Sequence, residues 1–133
     1  MSEGDRPVDV AQALATADGG PTICIDFDGC LSAYDGWRGG RVQPGPPIPG
    51  AVSACWRLAG AGFALVVLTA RDDHASVAAW LEEWDFPPMR VTSEKVPALL
   101  YIDDRAHRFA GDWSGVTAEW AIAQRPWWQA VGE

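Results

Sequence analysis

Two acidic pairs stand at the ends of apolar runs. Asp26 and Asp28 follow Thr22-Ile23-Cys24-Ile25, and Asp103 and Asp104 follow Ala98-Leu99-Leu100-Tyr101-Ile102. In extended backbone, residues two apart start toward the same side, so Asp26 and Asp28 share a direction. Four carboxylates brought to one place would repel one another, and some would take up protons. A hard cation with oxygen ligands removes that conflict. Mg²⁺ suits a site with two or three carboxylates, several waters and a substrate phosphate. Any one of these acids, taken singly, is explained as a helix cap or a solvated strand end. All four, together with Thr69 and Lys95, are not. Lys95 is the only lysine among the 10 basic residues, the rest being arginine.

Positioning such a set takes strands that end at one edge. Thr22–Phe27 and Phe63–Thr69 are continuous apolar runs, as expected of strands covered on both faces in a parallel sheet. Ala98–Asp103 reads as a third strong strand and Met89–Thr92 as a short one. Helices are expected over Ala51–Ala59, with Val52, Cys55, Trp56 and Ala59 on one face, and over His74–Trp84, with a stripe of Val77, Trp80, Leu81 and Trp84. Asp72 or Asp73 is the natural N-cap of the second. A last helix is expected over Ser114–Gln124, although Val116, Ala118, Trp120 and Ile122 also alternate like a strand. Residues 1–20 read as an N-terminal extension with a short helix from Val8 to Ala17. Residues 29–50, rich in Gly and Pro, read as loop. Strands alternating with helices imply βαβ units and a mostly parallel sheet, with ligands beyond the carboxyl ends of the strands. The fold class expected is therefore α/β, a single Rossmann-like domain with three α/β/α layers.

Four segments in order resemble the motifs of the haloacid dehalogenase (HAD) superfamily. Ile23-Cys24-Ile25-Asp26-Phe27-Asp28-Gly29 is similar to its first motif, and Leu68-Thr69-Ala70-Arg71 to its second. Lys95, eight residues before Asp103, stands like the third-motif lysine, and Ile102-Asp103-Asp104 resembles the fourth. The resemblance spans residues 22–104 and implies a HAD-like phosphohydrolase. Asp26 would be the nucleophile and Asp28 the general acid and base. Thr69 would contact the transferring phosphoryl group and Lys95 would neutralise charge. The metal set would be Asp26, Asp103 and the backbone carbonyl of Asp28, with Asp104 directly or through water, and Mg²⁺ as cofactor. Dehalogenases of the superfamily lack the second aspartate, so Asp28 favours phosphate chemistry. Cys30 departs from the Thr or Val that many members carry after the glycine, a change expected to affect packing or a weak hydrogen bond.

The spacing leaves no room for a large cap, so the site is expected to be open to a phosphorylated substrate, small or polymeric, or closed by a partner subunit in an oligomer. Thr69 and Arg71 are candidate substrate contacts. In the loop with Tyr34 and Arg41, Trp37 is a candidate to stack on a base or sugar and Arg38 to pair with phosphate; Trp37 packing under its own loop is the alternative. Arg71 and Arg105 either bind anions or pair with Asp72, Asp73 or Asp104. The other tryptophans are expected mainly in the core.

A net charge of −8 argues against a general nucleic-acid binder. No apolar run approaches the roughly 20 residues of a membrane span, and no signal peptide is read at the start, so a cytoplasmic location is expected. Three cysteines without CxxC spacing suggest reduced, structural thiols. Two other readings compete. One is a catalytically silent HAD-like interaction module. The other is a phosphoacceptor receiver domain, disfavoured because its acidic pair precedes its phosphoacceptor strand, the reverse of the order here.

Overall fold

The computed structural model describes residues 21–34 and 43–129. The expected helix at Val8–Ala17 and the residues Trp37, Arg38 and Arg41 lie outside them. The described elements are β1 (Thr22–Asp26), α1 (Ala51–Gly60), β2 (Ala64–Leu68), α2 (His74–Glu83), β3 (Arg90–Thr92), β4 (Leu100–Ile102) and α3 (Ala118–Ile122). The four strands form one parallel sheet in the order β3-β2-β1-β4. This is a small α/β domain with a Rossmann-like sheet.

Alternation along the strands builds the core. Ile23, Ile25 and Phe27 from the first strand and its end, with Leu65 and Val67 from β2, join one buried cluster with Cys55 of α1 and Val77, Trp80 and Leu81 of α2. Both longer helices therefore pack on the same face of the sheet. Trp80 is the hub. Its ring meets Phe27 edge-on at 4.9 Å and stacks on Phe86 at 5.3 Å, while its Nε1–H donates to the Gly45 carbonyl at 3.0 Å. An indole buried with its N–H satisfied combines a large apolar area with one directional bond. This contact anchors Phe27, the residue between Asp26 and Asp28, from below. The expected cap of α2 is Asp73, whose carboxylate accepts from the Ser76 backbone N–H and hydroxyl.

Several expectations are corrected. The third strand is three residues long, because β4 is an edge that pairs only with β1 and neither helix packs on it. Leu100 and Ile102 accordingly stay about 40% open, at 38% and 39%. The C-terminal helix is confined to Ala118–Ile122, with the Thr117 side chain capping it, because Asp112 turns the chain at Ser114 instead. Trp56 and Trp84 leave their expected apolar faces. Trp56 is exposed and spends its indole N–H on the Asp85 carbonyl. Trp113 and Trp127 are also on the surface, so Trp80 is the only fully core tryptophan among the described residues. Among those residues, no helix is long and apolar enough to cross a membrane.

Candidate active site

The parallel register decides what meets at the sheet edge. Asp26 is level with Leu68 and Ile25 with Ile102, so Thr69 and Asp103 are the residues that emerge beside Asp26. Leu68 is level with Thr92, which brings Ser93, and beyond it Lys95, to the same end. A cleft of about 520 Å³ is lined by Asp26, Leu68, Thr69, Ala70, Ser93, Lys95, Tyr101, Asp103 and Ala106. Four of the residues singled out in the sequence, Asp26, Thr69, Lys95 and Asp103, thus share one cavity.

After Asp26 the chain folds into a tight turn. The Phe27 carbonyl accepts from the backbone N–H groups of Cys30, Leu31 and Ser32, and Gly29 N–H donates to the Ser32 carbonyl. Gly29 holds φ at +89°, a left-handed value that favours glycine. Its missing Cβ matters as well. A methyl there would run into the Asp104 carboxylate and the indole nitrogen of Trp128. Bonds between Leu31–Ala33 and Pro46–Ile48 fold the proline-rich segment back against this turn.

The turn brings Asp26, Cys30 and Asp104 together, with potential ligand atoms all within 4.8 Å of one another. Burial, the neighbouring Asp104 carboxyl and the charges of Asp103 and Asp104 push the Asp26 carboxyl up to about 8. The Cys30 thiol is pushed up to about 12, first by burial and then by the same acids. Carboxylates crowded this closely, with one of them retaining its proton, are the donor set a hard divalent cation relieves. Asp26 and Asp104 fit such an ion, with Asp103 beside them. The protonated, soft sulfur of Cys30 is a poor ligand for it.

Asp28 is placed differently. Arg71 grips its carboxylate with two parallel bonds, Nε to Oδ2 and Nη2 to Oδ1, both 2.8 Å, and the pair is largely buried. The Ser32 hydroxyl adds a long third contact at 3.4 Å. Arg71 is steered into place twice over. Its backbone N–H donates to Thr69 Oγ1 at 3.0 Å, and its guanidinium lies 5.6 Å from the Phe27 ring centroid. Arg71 is thus ion-paired with Asp28, a partner not among the alternatives expected from sequence, which were a bound anion or Asp72, Asp73 or Asp104. Thr69 is buried, and because its oxygen accepts the Arg71 N–H, its own hydroxyl proton remains to be donated. The Lys95 ammonium lies 5.4 Å from the Tyr101 ring centroid.

Two participants were missed in the sequence. Cys30 packs against the core as expected, and it also faces Asp26 and Asp104, a juxtaposition not expected from the sequence. Trp128, expected in the core with the other tryptophans, is only half-buried, and its Nε1–H donates to Asp104 Oδ2 at 2.5 Å. Cys30 had a signal, its place two residues after Asp28 at the turn. Trp128 had none, since the contact bridges 24 residues of chain through a surface turn. No family model, no curated protein and no solved structure matches this chain.

Proposed function

We propose that this protein is a Mg²⁺-dependent phosphohydrolase of HAD type that cleaves phosphate monoesters through an aspartyl-phosphate on Asp26. The observation that carries the reading is the convergence of Asp26, Thr69, Lys95 and Asp103 on one cleft at the carboxyl ends of parallel strands. The capless HAD-like arrangement belongs to the same proposal, supported by the short connection between β3 and β4, whereas both longer helices lie on one face of the sheet and give no support to a third layer.

The cation would be held by Asp26 and Asp104 and, when bound, supplies positive charge that offsets the acids' mutual repulsion and that of the phosphoryl oxygens. A carboxylate oxygen of Asp26 attacks phosphorus in line, forming an acyl-phosphate bond as the ester P–O bond breaks. The Thr69 hydroxyl donates to a phosphoryl oxygen, and the Lys95 ammonium balances charge spreading onto the others. Once freed from Arg71, Asp28 takes up a proton from solvent, delivers it to the leaving alkoxide, and as the resulting carboxylate takes one from the water that hydrolyses the aspartyl-phosphate. For this it must exchange its Arg71 contacts for the substrate oxygen. An open cleft suits a phosphorylated substrate whose organic part projects outward, whether small or polymeric.

The test is turnover of an aryl phosphate with and without Mg²⁺. Wild type should release phosphate only with the cation, and Asp26→Asn should lose at least about 1,000-fold, in line with removal of a covalent nucleophile. Full activity in Asp26→Asn rejects the assignment. Lys95→Ala should fall by about 100- to 1,000-fold.

A second reading, a module that keeps the site without turnover, is favoured by one observation. Both oxygens of Asp28 are already committed to Arg71. Wild-type turnover separates the two: phosphate release with Mg²⁺ means that Asp28 leaves Arg71 when substrate binds, and Mg²⁺ binding without release across a panel of phosphate esters means a silent site.

A further inference from the structure

The residues from Pro126 to Gln129 form a turn, closed by Gln129 N–H donating to the Pro126 carbonyl at 3.1 Å. Pro126 is buried and anchors it. The two tryptophans occupy its central positions, and both indole N–H groups reach the acidic site. Trp127 Nε1 donates to the Gly29 carbonyl at 2.7 Å, and Trp128 Nε1 donates to Asp104 Oδ2. The Trp128 ring is held from two further sides. The Arg105 guanidinium lies 5.2 Å from its centroid, and Tyr34 meets it edge-on at 5.0 Å. Gly29 leaves the space in which the Trp128–Asp104 bond is made.

An indole N–H is a donor only and cannot itself coordinate a cation. Its effect on Asp104 is to fix one oxygen and thereby orient the carboxylate. Carboxylates that bind metals are commonly held by such outer partners, whose loss lowers affinity by about 10- to 100-fold. We propose that Trp128 is a positioning residue of the cation site, its indole N–H orienting Asp104 toward Asp26 while Trp127 straps the turn to Gly29. This rests on the cation site put forward above and adds to it a part of the chain outside the four motifs.

The experiment is Mg²⁺ titration by calorimetry of wild type and Trp128→Phe, which keeps an aromatic ring and removes only the donor. Far-UV circular dichroism checks that the fold is retained. Affinity in Trp128→Phe should fall by about 10- to 100-fold. A readout that needs no change at position 128 accompanies it: the ¹⁵N–¹H resonance of the Trp128 indole in metal-free protein should shift when Asp104→Asn removes the charged acceptor. Equal affinity in Trp128→Phe, with Mg²⁺ bound by wild type, overturns the positioning role and leaves the site itself standing. An indole resonance unmoved by Asp104→Asn likewise overturns the positioning role. No Mg²⁺ uptake by wild type overturns the site and the positioning role with it.

Discussion

Raising the pH of metal-free protein from 5 to 8 should destabilise it, and Asp26 is the reason. Its carboxyl stands at about 8 in the folded chain, against an ordinary value of 3.8. Between those values the folded state keeps a proton that the unfolded state has released, so stability falls as pH rises. The contribution is fully present below the unfolded value and is lost as pH climbs through the folded one. The whole displacement from 3.8 to about 8 corresponds to about 5–6 kcal/mol. Asp26 is partly open to the cleft, and solvent screening reduces the expected loss to about 2–3 kcal/mol. For a domain of this size that is a fall in Tm of about 8–12 °C. Thermal melts in EDTA at half-unit pH steps measure it directly. Millimolar Mg²⁺ should restore most of the loss at pH 8 and change little at pH 5, since cation binding must displace the retained proton. Asp26→Asn, which has no proton to release, should flatten the profile. A wild-type Tm independent of pH, or an undiminished slope in Asp26→Asn, refutes the reasoning.

Arg71→Met should cost about 2–4 kcal/mol in urea denaturation, because it leaves the Asp28 charge largely buried and unpaired. Arg71→Lys should recover only part of this, since an ammonium cannot reproduce the two-pronged contact; full recovery would show that charge alone suffices. Trp80→Ala should cost about 3–5 kcal/mol by opening a cavity beneath Phe27, as read by chemical denaturation. A loss under about 1 kcal/mol would mean that Trp80 is not the hub of the core. Gly29→Ala combines a left-handed φ of +89° with a Cβ that collides with Asp104 and Trp128. It should lower Tm and weaken Mg²⁺ binding together, and retention of wild-type affinity would show that the turn relaxes freely.

Under the proposed reaction, the Asp28–Arg71 pair would set the order of events in the cleft. A guanidinium held in a two-pronged ion pair is not readily displaced by a neutral group, but an incoming phosphate dianion offers it an alternative partner. Substrate arrival would then release Asp28 at the moment its proton transfer is needed. The same geometry explains why Asp28 is absent from the cluster of Asp26, Cys30 and Asp104.

Strand and helix identities were legible because their causes are local. Apolar runs ending in polar residues mark β1 and β2, and Asp73 capping Ser76 marks α2. Register then follows from pairing those runs in parallel, so the shared edge of Asp26, Thr69 and Asp103 was implicit in the sequence. The choice of partners at that edge was not. Arg71 bonds Asp28 across 43 residues of chain, with its backbone N–H fixed on Thr69 and its guanidinium beside the Phe27 ring. Trp128 reaches Asp104 only because the Pro126 turn folds over a glycine without a Cβ. Residue types and spacing determine which groups arrive at an edge; side-chain direction, set by packing from distant segments, decides which of them touch.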